Sequence, residues 1–308
     1  MAKKVKVYAP GSIGNVGCGF DVFGLAIDAV GDILEVEENE SGNLRIVDII
    51  GDITIPLEID KNIVTVGAAA LLNELNIAQG FDFKITKQII AGSGLGSSGS
   101  SAAAAVFAIN ELVGRPYSRQ DLIKFAAIGE QIASHQVHYD NVAPSMMGGF
   151  TIIRSSNPLE ILQITVPGNL YLAMARPSVV IKTEEAKQIL ADSLTLDKAV
   201  IQFGNIAGLV VGMQNADIPL IGRAVEDIVA TPFRSQLIPK FDEARSAALH
   251  AGAAGYNISG SGPAMFAICD GRKVAEKVVS ALQEIYKDDV KANYYLTQPD
   301  SRGARLID

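Results

Sequence analysis

Between Ala91 and Ala105 the chain reads AGSGLGSSGSSAAAA, a stretch almost bare of functional side chains. It follows FDFKITKQII, which alternates apolar and polar residues, and it opens a segment of helical composition, so it reads as the turn from a strand into a helix. At such a turn the first backbone N–H groups of the helix lack intrahelical partners, and the helix dipole adds partial positive charge. Gly94, Gly96 and Gly99 let an anion approach the backbone, and the interleaved serines add hydroxyl donors. The chemistry this supports is the holding of phosphate. The competing reading is tight packing of a helix end, which also selects glycine and alanine. GLGSSG formally satisfies the dinucleotide pattern G-x-G-x-x-G, but no ribose-reading acid ends a second strand about 20 residues on, where the chain still reads as helix. No G-K-[ST] follows, so this is not a Walker loop, and the H-R-D and D-F-G elements of protein kinases are missing.

Other chemically capable residues are scattered. His135 and His138 lie in GEQIASHQVHYDNVAPSMMGGFTIIR, but the chain has 3 histidines in all, which argues against a zinc site. Cys18 and Cys269 stand far apart and outside any C-x-x-C pattern, so both read as small buried apolar residues in a reducing compartment. Arg234, Lys187 and Glu130, taken alone, read as solvated charges.

Four stretches together carry a resemblance. GSGLGSSGSSAAAA closely resembles the central motif of the galactokinase, homoserine kinase, mevalonate kinase and phosphomevalonate kinase (GHMP) superfamily, with Ile90 where that motif usually has proline. APGSIGNVGCGFDVFGLAID, Ala9 to Asp28, is similar to the homoserine kinase opening P-A-[ST]-S-A-N-x-G-x-G-F-D, with Gly11 and Gly14 replacing alanines and Ile13 replacing a serine. ISGSGPAMFAI, Ile258 to Ile268, resembles the third glycine-rich motif of the superfamily. HYDNVAP followed by GGF is similar to homoserine kinases in particular.

The resemblance implies an α+β, two-domain GHMP kinase fold. Residues 1–156 would form the N-terminal nucleotide domain, of the ribosomal-protein-S5-domain-2 type, and residues 157–308 a C-terminal ferredoxin-like α/β sandwich. It implies ATP on the loop Ala91, Gly92, Ser93, Gly94, Leu95, Gly96, Ser97, Ser98, Gly99, Ser100 and Ser101, buttressed by Gly260, Ser261 and Gly262. Mg2+ would sit on Ser98 and Glu130. For L-homoserine, Asn15 and Asp21 would reach the amino and hydroxyl end, His138 would add a polar contact and Arg234 would grip the carboxylate. Lys187, in TEEAK, stands where the family usually has the arginine of T-x-x-A-R, a point charge in place of a planar fork. Asn15, Asn141 and Thr183 would orient the reactants without a dedicated base. The implied reaction is ATP-dependent phosphorylation of homoserine to O-phospho-L-homoserine in threonine biosynthesis. The alternatives are another GHMP kinase acting on a sugar or mevalonate-like alcohol, and a ligand sensor that kept the fold without catalysis.

These residues need a frame. The first third is strand-rich (KVKVYAP, DILEVEE, LRIVDII, FDFKITKQII), with helices expected at about Asn62–Leu75, Ser97–Val113 and Ser118–Ser134. Beyond Phe150 come strands FTIIR, ILQITV and YLAMARP, helices from about Thr183 to Ile228, a helix at Ile238–Ala251, strands GYNIS and PAMFAICD, a helix at Lys273–Ile285 and a last strand VKANYYL. The 308 residues are 48% hydrophobic and carry a net charge of −8, which repels polyanions and discourages nucleic acid or acidic membrane binding. The start, MAKKVKVYAP, lacks the form of a signal peptide, and the longest apolar run, AAAAVFAI, is far short of the roughly 20 residues that span a bilayer. The expectation is a soluble cytoplasmic protein without an internal repeat. A homodimer is compatible with the chain.

Overall fold

The computed structural model describes residues 2–51, 55–134, 137–181, 183–288 and 290–308, and of residues 133, 134, 183 and 184 the backbone alone. Strand β1 (Lys4–Gly14) pairs antiparallel with the long β2 (Phe23–Asn39), and their register shifts between Pro10 and Gly11. Pro10 has no N–H to give the ladder, so the shift falls where pairing is weakest. Next to β2 lies β4 (Gly80–Thr86), and β3 (Leu44–Ile50) pairs parallel to β4, with helix α1 (Ile63–Glu74) as the crossover. On the other flank, β5 (Phe150–Ser156) pairs with β2 and with β6 (Leu159–Ile164).

Helices α2 (Ser97–Leu112), α3 (Arg119–Ser134) and α4 (Tyr139–Met147) join α1 over this seven-stranded sheet. Ala102 to Ala105 are all fully buried, and their small side chains let α2 lie close against both the sheet and its neighbouring helices. In the second half, β7 (Leu170–Pro177), β8 (Gly255–Ile258), β9 (Met265–Asp270) and β10 (Ala292–Thr297) make an antiparallel sheet in the order β10-β7-β9-β8. One face is covered by α9 (Phe241–His250) and α10 (Arg272–Tyr286). The other face, through Leu172, Met174 and Phe266, joins Ile13, Phe23 and Phe150 of the first sheet in one apolar cluster. The two halves therefore meet through core.

Several elements depart from expectation. The division after residue 156 falls inside the β5–β6 hairpin, whose strands both belong to the first sheet. Sheet membership changes later, between Ile164 and Leu170, and β11 (Arg305–Leu306) returns to pair with β1. Strand β2 begins inside the first glycine-rich motif because Phe23 to Ile27 are buried on both faces and show no alternation. Helix α4 was not expected, since Pro144 lies within it. The helical stretch from Thr183 breaks into α5 (Thr183–Gln188), α6 (Leu196–Asn215) and α7 (Ile218–Ala224); Ala216 in the left-handed region ends α6, and Asp217 caps the start of α7. Next comes the short α8 (Thr231–Arg234). α6 is long and apolar enough to cross a membrane by length and composition, with a mean hydropathy of 1.2. Leu209 and Met213 on its inner side are core, whereas Val200 and Phe203 are exposed.

Candidate active site

The glycine-rich loop carries Gly92, Gly94 and Gly96 at φ of 67°, 79° and 68°, a left-handed run that side-chain-bearing residues resist. It delivers the chain into α2 with no side-chain cap, so the first N–H groups of that 16-residue helix remain for a ligand. The glycines also serve packing. A Cβ on Gly94 would stand 2.7 Å from Ser259 O, and one on Gly96 would stand 2.0 Å from Ser12 Oγ.

The three glycine-rich motifs are tied by backbone hydrogen bonds. Ser12 N–H donates to Leu95 O (3.0 Å), Ala264 N–H to Ser93 O (3.1 Å) and Gly260 N–H to Gly14 O (3.0 Å). The departures at Gly11 and Gly14 follow from this crowding. A Cβ on Gly14 would lie 2.6 Å from both Asp140 Oδ2 and Asn141 Nδ2, and one on Gly11 would lie 2.9 Å from Leu95 O.

Four of the loop serines have partners within the protein. Ser97 donates to Ile89 O (2.9 Å), Ser100 to Ala9 O (2.7 Å) and Ser101 to Asp32 Oδ2 (2.6 Å), while Ser93 Oγ accepts from Leu95 N–H (3.3 Å). These hydroxyls shape the loop and fix the helix start. Ser98 differs, donating to Glu130 Oε1 of α3 at 2.8 Å.

Under the loop lies a buried ion pair that the sequence reading did not include. Lys87 and Asp32, with side chains 4% and 0% exposed, form a salt bridge. Lys87 Nζ also donates to Ser97 O and Ser101 Oγ, each at 2.9 Å. Asp32 Oδ1 accepts from the N–H groups of Gln88 (3.1 Å) and Ile89 (3.2 Å). One carboxylate on β2 thus holds both ends of the loop. A signal was available: Phe81, Phe83, Ile85, Lys87 and Ile89 alternate onto one buried face, and so do Asp32, Leu34 and Val36. A lysine and an aspartate in those phases must find each other or equivalent partners.

Beyond Glu130 the site turns acidic. His138 precedes α4, with Nδ1 3.7 Å from Glu130 Oε1. The Glu130 carboxylate beside it holds the imidazole above its ordinary pKa, against the pull of burial. Asp140 is 2% exposed and accepts from Asn15 N–H at 3.0 Å. Burial first, and then the nearby Asp21, push its carboxyl up to about 6. Asn141 is held from both sides: its Oδ1 accepts from Ser12 Oγ at 3.0 Å, and its Nδ2 donates to Asp140 Oδ1 at 3.3 Å.

Asn15 and Asp21 both adopt positive φ, 65° and 54°, and Asp21 N–H donates to Asn15 Oδ1 at 3.0 Å. Asn15 Nδ2 donates to Gly260 O (3.2 Å), and the same carbonyl accepts from Arg234 Nη1 (3.0 Å). Arg234, 5% exposed, also donates from Nε to Ala186 O of α5 at 2.9 Å and lies over the Phe20 ring. Asp227, also absent from the sequence reading, accepts from the N–H groups of Val229 (2.9 Å), Ala230 (2.9 Å) and Thr231 (2.7 Å) and so shapes the start of α8, which bears Arg234. Lys187 is exposed on α5, one residue past the carbonyl that Arg234 grips. His135 and the side chain of Thr183 lie outside the described residues. Gly260, Ser261 and Gly262 form the turn after β8, beside Gly94.

The family described as GHMP kinases N terminal domain matches residues 62–149, and GHMP kinases C terminal matches residues 209–288. A crystal structure of L. major mevalonate kinase in complex with R-mevalonate superposes with a TM-score of 0.71 at 16% identity, covering 97% of this chain and 99% of that one, which shows the shared fold. The protein is thus a two-domain kinase of the GHMP class. The resemblance narrows further. A homoserine kinase of Chloroherpeton thalassium is 39% identical over 99% of this chain and 100% of its own, and the crystal structure of homoserine kinase from Cytophaga hutchinsonii superposes with a TM-score of 0.96 at 40% identity, over 99% of this chain and 97% of that one. The chain belongs to the homoserine kinase family.

Proposed function

We propose that the chain transfers the γ-phosphoryl group of ATP to the hydroxyl of L-homoserine, giving ADP and O-phospho-L-homoserine for threonine synthesis. The observation that carries this reading is the convergence of Arg234, Asn15 and Asp21 around the turn at Gly260, a short chain of contacts from the loop that opens α2. A zwitterion needs a buried cation for its carboxylate and a carboxylate for its ammonium, and Arg234 and Asp21 supply them. Asp140 adds a second negative charge on the ammonium side.

Ser98 Oγ and Glu130 Oε1, 2.8 Å apart, are hard oxygen donors of the kind Mg2+ takes beside phosphate oxygens and water, so these residues fit that ion. Among the described residues no cluster of three or more His, Cys, Asp or Glu side chains forms a metal cage, in keeping with a cation held partly by its nucleotide. Mg2+ bound there supplies charge neutralisation for the leaving ADP.

The chain's own work is positioning. The homoserine oxygen forms its bond to the γ-phosphorus while the bond to the β,γ-bridging oxygen breaks in line. Asn141, held by Ser12 and Asp140, orients the attacking hydroxyl but is too weak a base to take its proton. The proton leaves late, to the transferred phosphoryl group or to solvent. We place the reaction in the cytoplasm, where buried, free Cys18 and Cys269 suit reducing conditions.

The test is ADP release with homoserine, serine, threonine, mevalonate and galactose in turn. Homoserine should be preferred, and turnover of mevalonate without homoserine would reject the substrate assignment. Ser98→Ala should lower kcat sharply and weaken the Mg2+ dependence while nucleotide still binds, because the backbone donors of α2 remain. Unchanged kinetics would remove Ser98 from the metal pair.

A further inference from the structure

We infer that Arg176 is a phosphate contact for the bound nucleotide, supplied by the second sheet from beneath the glycine-rich loop; this rests on the kinase reading above. Arg176 lies near the end of β7 and is 8% exposed. Its Nε is buried without an acceptor, and among the described residues no hydrogen bond or ion pair reaches the side chain. A guanidinium N–H shut away from water without an acceptor is costly, because it loses its hydration and gains nothing in return. The three other buried or half-buried cations near the loop and substrate end are all served: Lys87 by Asp32, Arg234 by two carbonyls, and His138 by Glu130.

Its place in the fold points to the acceptor. Strand residues alternate, so Arg176 shares the face of Leu172 and Met174, which belong to one apolar cluster with Ile89 before the loop and Leu95 within it. The register that sets Ala175 opposite Met265 carries on to set Arg176 opposite Ala264. Ala264 N–H donates to Ser93 O at 3.1 Å. Arg176 therefore stands one strand spacing, about 5 Å, from the residue that holds the loop. An arginine side chain spans that distance, and a phosphate oxygen seated on the loop is the anionic acceptor that this position would meet. Asp140 and Asp21 serve the substrate end, Glu130 meets Ser98 and His138, and among the described residues no ion pair joins any of the three to Arg176.

The experiment replaces Arg176 in the full chain and measures thermal stability together with ADP and adenosine binding by calorimetry, without homoserine. Arg176→Met should melt at the same or a higher temperature, since a buried N–H without an acceptor is gone, yet bind ADP roughly tenfold or more weakly. Adenosine, which has no phosphates, should bind as it does to the unaltered chain, and Arg176→Lys should recover part of the ADP affinity. An unchanged ADP affinity would overturn the inference, as would an equal loss for adenosine. So would failure of Arg176→Met to fold, which would mean that the guanidinium is already served inside the protein. A homoserine panel on the unaltered chain tests the kinase reading separately, so failure of one does not pass for failure of the other.

Discussion

At the scale of single residues, charge and burial pull in opposite directions, and the outcome differs from site to site. Arg234 is buried and orders three segments, whereas Lys187 is exposed one residue from the carbonyl that Arg234 binds. Arg234→Ala should raise the homoserine KM by a charge-assisted hydrogen bond, about 1.5–3 kcal/mol or roughly 10- to 150-fold, with ATP little affected. Lys187→Ala should raise it less, because water screens an exposed ammonium. An equal effect from both would show that the lysine moves inward with substrate. Asp140 makes a different prediction. Its pKa of about 6 lies above the 3.8 of an ordinary aspartate, so the folded protein holds this proton more tightly than the unfolded chain does. Stability should therefore fall as pH rises from about 4 to about 6, and at pH 7 the cost is about 3 kcal/mol. Asp140→Asn should remove that slope and unfold at higher urea above pH 6, with little difference near pH 4. Urea midpoints across this range decide it, and a steeper slope in the variant would reverse the assignment.

At the scale of elements, the glycine-rich loop was legible as a strand-to-helix turn because composition and alternation both marked it. What fixes its shape was less legible, because Lys87 and Asp32 come from different strands and only their phase on the buried face hints at a pair. Helix α4 was hidden by Pro144, and β2 by burial on both sides. The serines show how one residue type divides its work once folded: Ser98 meets Glu130, while Ser97, Ser100 and Ser101 turn to Ile89, Ala9 and Asp32. The Lys87–Asp32 clamp gives a test of this division. Lys87→Met leaves a carboxylate buried without its cation and should cost about 3–5 kcal/mol of stability, with a raised ATP KM as the loop ends loosen. Combining it with Asp32→Asn should recover much of that cost, since no lone charge is left. Additive losses in urea unfolding of the single and double variants would show that the two residues act independently.

At the scale of the molecule, the site depends on a junction that motifs alone do not reveal. The stretch from Ile13 to Phe23 carries Asn15 and Asp21, and its apolar residues sink into the cluster shared by the two sheets. The rings of Phe23 and Phe150 meet at a tilt there, 5.0 Å between centroids, and both are essentially fully buried. The substrate end thus rests on the packing of one half against the other, whereas the cluster beneath α9 and α10 supports only the second sheet. Two cavity-forming variants should separate these roles. Phe23→Ala and Leu282→Ala each remove a large side chain from a closed core and should each cost several kcal/mol, about 3–5 for the phenylalanine and about 2–5 for the leucine. The lower melting temperatures should be comparable, but the kinetics should not. Phe23→Ala should raise the homoserine KM, because the cavity opens two residues from Asp21 and lets the left-handed turn at Asn15 and Asp21 relax. Leu282→Ala, on the far face of the second sheet, should leave that KM near its starting value at temperatures where both variants are folded. If both variants shift the KM alike, substrate affinity follows global stability and the junction has no separate part in holding the site.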